Sequence, residues 1–182
     1  MLKRSLGINW KQLLTTRSIA TSGIIAALYV ALTLALRPLA FGELGFECRI
    51  SEAMTLLSVL FPEAIPGLTI GCLISNLFSP VGALDIVFGT LATLLASILS
   101  WMTRNMRIGS WRLPVVSAIW PVVFNGLIVG GILTAEGLFA TYPLGVLVIA
   151  VGEAIALIVG LAMFPGLEES LTALSKRAQR AR

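Results

Sequence analysis

Apolar residues gather along this chain in six runs, roughly 18–38, 50–61, 64–79, 83–103, 113–134 and 143–165. A helix needs about 20 apolar residues to cross the hydrocarbon core of a bilayer, so the pattern predicts six transmembrane helices in one membrane domain. The second and third runs are short, with Pro62, Pro66 and Gly67 between and within them. Such interrupted spans lie beside binding sites in small transporters, where irregular backbone is buried in protein. Fusing 50–79 into one kinked span would leave five crossings.

The basic residues choose between the two counts. Lys3, Arg4, Lys11 and Arg17 precede the first run, Arg104, Arg107 and Arg112 follow the fourth, and Lys176, Arg177, Arg180 and Arg182 end the chain. With six spans, eleven of the 13 basic residues fall on one side, leaving Arg37 and Arg49 on the other. Positive charge marks the cytoplasmic side, which places both termini there. Five spans would break the bias.

Composition agrees. Hydrophobic residues make up 57% of 182, charged residues only 12%, against about 25% in soluble domains. The chain reads as an all-α integral membrane protein of the plasma membrane. Its net charge of +4 is a topology and lipid-contact signal centred on the basic tail 166–182, not a sign of nucleic-acid binding. The run Ile19–Leu36 is longer than a signal-peptide core and lacks a clean cleavage site, so it is expected to be a retained first span. There is no histidine, and Cys48 and Cys72 have no metal-ligand spacing. Both are expected to pack as small buried hydrophobes, and no metal is expected.

The polar residues then fall mostly on the outer half. Arg37, Glu43, Glu47 and Arg49 belong to the first outer loop, and Glu52 lies one turn into the second span. Asn76 closes the third span, Asp85 opens the fourth, and Asn125 sits in the outer half of the fifth. Glu153 lies about 16 Å in from Tyr142 along the sixth; Glu63 alone falls at an inner turn. Ionisable groups within spans face a cavity or a partner. Glu52, Asp85 and Glu153 come from three helices and converge on one outward-opening pocket. Ion pairing with Arg37 and Arg49 would leave acids over, which a ligand rich in hydrogen-bond donors would complement. Phe41, Phe46, Phe78, Phe88, Trp120 and Phe124 are candidates to stack on a planar ring.

Three ladders of small residues recur at a spacing of four: Gly23, Ala27, Ala31 and Ala35; Gly89, Thr93 and Ser97; Gly152, Ala156 and Gly160. Such faces let helices approach closely in lipid. The last two suit packing within the bundle, whereas the first suits either packing or the docking of another membrane protein. No nucleotide-binding loop is present, because none of Lys3, Lys11 and Lys176 follows a glycine as that loop requires. No hydrolase elbow or metalloprotease pair appears either.

The segments ECRISEAMTLL (47–57), AIPGLTIGCLISNLF (64–78) and LDIVFGTLATLLA (84–96), with LPVV (113–116), VVFNGLIVG (122–130) and the pair GE (152–153), resemble the QueT family. These are queuosine-precursor S components of prokaryotic energy-coupling factor (ECF) transporters. The likeness runs from about Ala20 to Pro165 and departs at Cys48, where an aromatic or polar residue is expected. It implies a six-helix S-component bundle whose first loop closes over a ligand site. It also implies that a membrane scaffold subunit and two cytoplasmic ATPases drive uptake, so this chain binds no cofactor and ATP is used by its partners. Scaffold docking would fall on Gly23, Ala27 and Ala31.

The implied ligand is queuine or a 7-substituted 7-deazaguanine. Its guanine-like edge suits a carboxylate, an aminomethyl group suits a second acid, and asparagines suit the remainder. The expected ligand set is Phe46, Glu47, Arg49, Glu52, Asn76, Asp85, Phe88, Asn125 and Glu153, with Arg49 orienting the acids. Three alternatives stay open: an S component for a flavin, pterin or thiamine, a proton-coupled carrier using Glu153, and an intramembrane enzyme using the buried acids.

Overall fold

In hydrocarbon every backbone N–H and C=O must find a partner within its own segment, and the apolar runs fold accordingly as helices. The computed structural model describes residues 13–42, 47–106 and 113–180, with side chains to residue 170, and holds no strand among them. The elements are α1 (Thr16–Ala35), the single turn α2 (Arg37–Ala40), α3 (Ile50–Leu60), α4 (Ala64–Asn76), α5 (Asp85–Met102), α6 (Val115–Ala135) and α7 (Tyr142–Arg180). Four of them, α1, α5, α6 and α7, are long and apolar enough to cross a membrane, and α3 and α4 are shorter. The chain is an α-helical, multi-pass membrane protein.

Two runs differ from the sequence expectation. The second is a 3₁₀ helix over Ile50–Leu56 that becomes α-helical only at Leu57–Leu60. Its larger rise stretches these eleven residues to about 20 Å. Hydroxyls reinforce the tighter winding: Thr55 donates to the Glu52 carbonyl and Ser58 to that of Thr55. The sixth run was expected to stop at 165 ahead of a tail over 166–182. Instead the helix passes through Pro165 and continues to Arg180. Proline deletes only one N–H, and the Leu-, Glu- and Lys-rich stretch beyond it has high helix propensity.

Glycines set the helix spacings. A Cβ on Gly67 would lie 2.7 Å from the Ser22 carbonyl, and one on Gly71 would lie 2.8 Å from Tyr29 Cβ. The backbones of α1 and α4 are therefore in close contact around Ile25, Tyr29, Leu68 and Cys72. Gly130 meets Gly145 across the α6–α7 contact in the same way, above Ala92, Val129, Leu133 and Ile149. The ladder of Gly152, Ala156 and Gly160 is buried against the first loop and α3. Gly23, Ala27, Ala31 and Ala35 are all exposed, and a Cβ on Gly23 would touch nothing.

Proline inside α6 is met by a neighbour. Pro121 cannot donate to the Ser117 carbonyl, and the Ser100 hydroxyl of α5 donates to it at 2.7 Å instead. At the same end, Ser18 and Ser22 of α1 donate to the side chain and carbonyl of Glu63 in the α3–α4 turn, at 3.2 and 2.8 Å.

These spacings give opposite signs for one substitution at two places. Gly71→Ala should destabilise the protein by about 1–3 kcal/mol through overpacking against Tyr29. Gly23→Ala should leave stability unchanged or raise it by up to about 1 kcal/mol through helix propensity. Thermal unfolding of both variants in detergent is the check.

Candidate functional site

Arg49 sits where the first loop enters α3, with its side chain 3% exposed. A charge so placed must be paired, and three elements supply the partners. Its guanidinium donates to Asn76 Oδ1 of α4 at 3.1 Å and to Glu47 Oε1 at 3.3 Å, and lies 3.6 Å from Asp85 Oδ2 of α5. Phe41 offers its ring face 5.3 Å away, a cation–π contact. Asn76 turns its amide N–H to the Asp85 carbonyl at 2.9 Å, fastening α4 to α5. Gly89 makes room for this cluster, since a Cβ there would collide with Asp85 and Asn76. That ladder of α5 thus seats polar groups as well as packing.

One guanidinium faces two carboxylates, and Glu47 bears the consequence. Burial pushes its carboxyl up from 4.5 to about 7; Arg49 pulls the other way, and the nearby Asp85 charge adds to the rise. The loop itself is pinned by Cys48, whose N–H donates to the Leu39 carbonyl at 2.9 Å and whose thiol donates to the Gly152 carbonyl at 3.2 Å. The Glu47 carbonyl rests directly against Gly152, leaving no space for a side chain there.

Glu52 is completely buried and is surrounded by hydroxyls. Tyr29 of α1 donates to Oε1 at 2.5 Å and Thr93 of α5 to the same oxygen at 2.9 Å, while Thr55 Oγ1, whose proton goes to the Glu52 carbonyl, lies 3.2 Å from Oε2. Thr33 adds a second link from α1 to α3 through Ser51 at 2.7 Å. Cys72 joins the two halves of the network: its sulfur lies 3.3 Å from Thr93 Oγ1 and 3.4 Å from Asn76 Nδ2.

The third group comes from α6 and α7. Asn125 opens a π-helical turn over Asn125–Val129, as Asp85 does over Asp85–Gly89. A π turn inserts an extra residue and is characteristic of functional positions. Glu153 on α7 lies beside Asn125 and within electrostatic reach of Glu52, Arg49 and Glu47. Glu153 Oε2, Asn125 Nδ2, Asp85 Oδ1 and Arg49 Nε are buried without a hydrogen-bond partner.

The structure thus gathers Glu47, Arg49, Asn76 and Asp85 into one cluster, with Glu52 behind it and Asn125 and Glu153 side by side. Phe88, 43% exposed, joins none of the buried clusters, and Phe46 lies outside the described residues. Trp120, counted with the outer aromatics from sequence, is elsewhere: its indole N–H donates to Thr103 at 3.1 Å, about 27 Å along α5 from Asp85. Sequence reasoning passed over Tyr29, Thr55 and Thr93. A tyrosine in mid-span was the available signal, because a buried Tyr hydroxyl needs a partner. Cys48 and Cys72 are buried in apolar clusters as expected, and both also make polar contacts through their sulfurs.

A family model described as QueT transporter matches residues 19–169. Among curated proteins, the "Queuosine precursor transporter QueT" of Lactococcus lactis subsp. cremoris (strain MG1363) is 38% identical over 81 residues. That match spans 43% of this chain and 46%, under half, of the relative's length. No solved structure matches.

Glu47 gives the site a pH signature. Between pH 4.5 and about 7 the folded protein keeps a proton that the unfolded chain has released, so stability falls as pH rises through that window and levels off above it. The Glu47 contribution should lower the unfolding midpoint at pH 8 relative to pH 5, and Glu47→Gln should shrink that difference.

Proposed function

The chain belongs to the QueT transporter family, and from that premise we propose that it is the substrate-binding S component of an ATP-driven ECF importer. The cargo on this reading is a queuosine precursor, queuine or a 7-substituted 7-deazaguanine. The chain forms a single domain of six crossings in a prokaryotic plasma membrane, α3 and α4 included, with both termini cytoplasmic. A scaffold subunit and two cytoplasmic ATPases supply the energy.

The observation that carries this reading is the buried polar network beneath the first loop. It holds four carboxylates, one arginine and two amides from five helices and that loop, several of them with unused hydrogen-bonding atoms. Such a set costs stability unless something completes it, and a small donor-rich heterocycle does so. The expected ligand residues are Glu47, Arg49, Glu52, Asn76, Asp85, Asn125 and Glu153, with Phe46 and Phe88 as the stacking candidates. The exposed stripe of Gly23, Ala27 and Ala31 is the face offered to the scaffold, because the opposite side of α1 is committed to Tyr29 and Ile25.

Two measurements separate binding from transport. Calorimetric titration of the purified chain with queuine and with the aminomethyl and cyano deazaguanines should give micromolar or tighter binding, lost in Arg49→Ala. Ala27→Leu should keep that affinity and abolish precursor uptake in cells carrying the complete transporter. A folded protein that takes none of the three ligands sinks the assignment.

A further inference from the structure

The polar groups of the network are unequally occupied, and the inequality carries information. Arg49 is engaged by Asn76, Glu47 and Asp85, with only its Nε and Asp85 Oδ1 left over in that cluster. Glu52 Oε1 receives two hydroxyl donors, from Tyr29 and Thr93, and its Oε2 lies 3.2 Å from the Thr55 hydroxyl. Glu153 and Asn125 are buried to 5% and 3% exposure and face each other, and beyond that contact Glu153 Oε2 and Asn125 Nδ2 have no hydrogen-bond partner. Groups this deeply buried are almost always satisfied.

Their placement is built. The π turn at Asn125–Val129 shifts Asn125 out of ordinary helical register. Gly126, immediately after it, brings α6 so close to α7 that a Cβ there would sit 3.2 Å from Ala150 Cβ. The result is an amide next to a carboxylate one turn further along α7.

We infer that Glu153 and Asn125 together read one edge of the ligand, and that this edge presents two adjacent donors followed by an acceptor. A carboxylate accepts two parallel N–H groups, and an amide N–H₂ donates to a neighbouring carbonyl. The donor–donor–acceptor order is that of a 2-amino-4-oxo ring, as in deazaguanines and pterins. It rejects the acceptor–donor–acceptor imide edge of a flavin, whose carbonyls would face the carboxylate. Glu52, by contrast, does not read this edge; its hydroxyl partners tie α1, α3 and α5 together.

The inference rests on the reading of this chain as a substrate-binding subunit, and the test separates the two. Purified protein is titrated with queuine, with a pterin, and with 7-deazaguanine and its analogue lacking the 2-amino group. Wild type should bind 7-deazaguanine about 100-fold more tightly than the desamino analogue, because the missing donor leaves a buried carboxylate unpaired. Glu153→Gln should erase that ratio, Asn125→Leu should weaken both bases, and Glu52→Gln should keep the ratio whatever its affinities. Equal wild-type binding of the two bases overturns the inference, as does an unchanged ratio in a folded Glu153→Gln. Binding of a pterin or 7-deazaguanine with no binding of queuosine precursors would overturn the transport assignment and leave the edge assignment standing. Failure to bind any 2-amino-4-oxo ring overturns both.

Discussion

A guanidinium cannot lose its proton inside a protein, and Arg49 is buried among helices that face hydrocarbon. Everything around it follows from that fixed charge. Asn76 and Asp85 must stand at the facing ends of α4 and α5, which holds the turn between them short. Glu47 must fold inward, which draws the first loop down onto α7 at Gly152. Phe41 covers the remaining face. Removing one acid would leave the charge short of a partner in low dielectric, the costly way to break a buried pair.

Much of this was legible in the residues. Charges placed in and beside apolar runs have few tolerable positions, so the sequence alone assigns Glu52, Asp85 and Glu153 to the bundle interior. The helices followed from run length, and the inward ladder of α7 from its spacing. What could not be read is equally physical. Periodicity says nothing of whether a turn winds as 3₁₀, α or π, because all three satisfy the backbone and differ by one residue in register. The π turns at Asp85 and Asn125 and the 3₁₀ start of α3 were therefore invisible. Glu52 and Glu153 look alike in sequence; only the hydroxyls of Tyr29, Thr55 and Thr93 distinguish them.

The same logic explains the placement of the neutral polar side chains. Thr33 meets Ser51, Ser100 meets the carbonyl freed by Pro121, and Ser18 and Ser22 meet Glu63. Small hydroxyls let irregular backbone persist in an apolar setting, because each fills a vacant donor or acceptor without needing charge. Irregular helices and serine- and threonine-rich faces are thus one design seen from two sides.

α1 has two committed relationships on one flank and open surface on the other. Gly67 and Gly71 hold it at backbone distance from α4, and Tyr29 reaches through to Glu52. Rotation about its own axis would drive its side chains into glycine-sized gaps and withdraw the tyrosine from the carboxylate. The motions left to it are tilting and sliding in company with α3, α4 and α5. A force applied to its open stripe is therefore delivered to the bundle as a rigid body, with α1 as the handle.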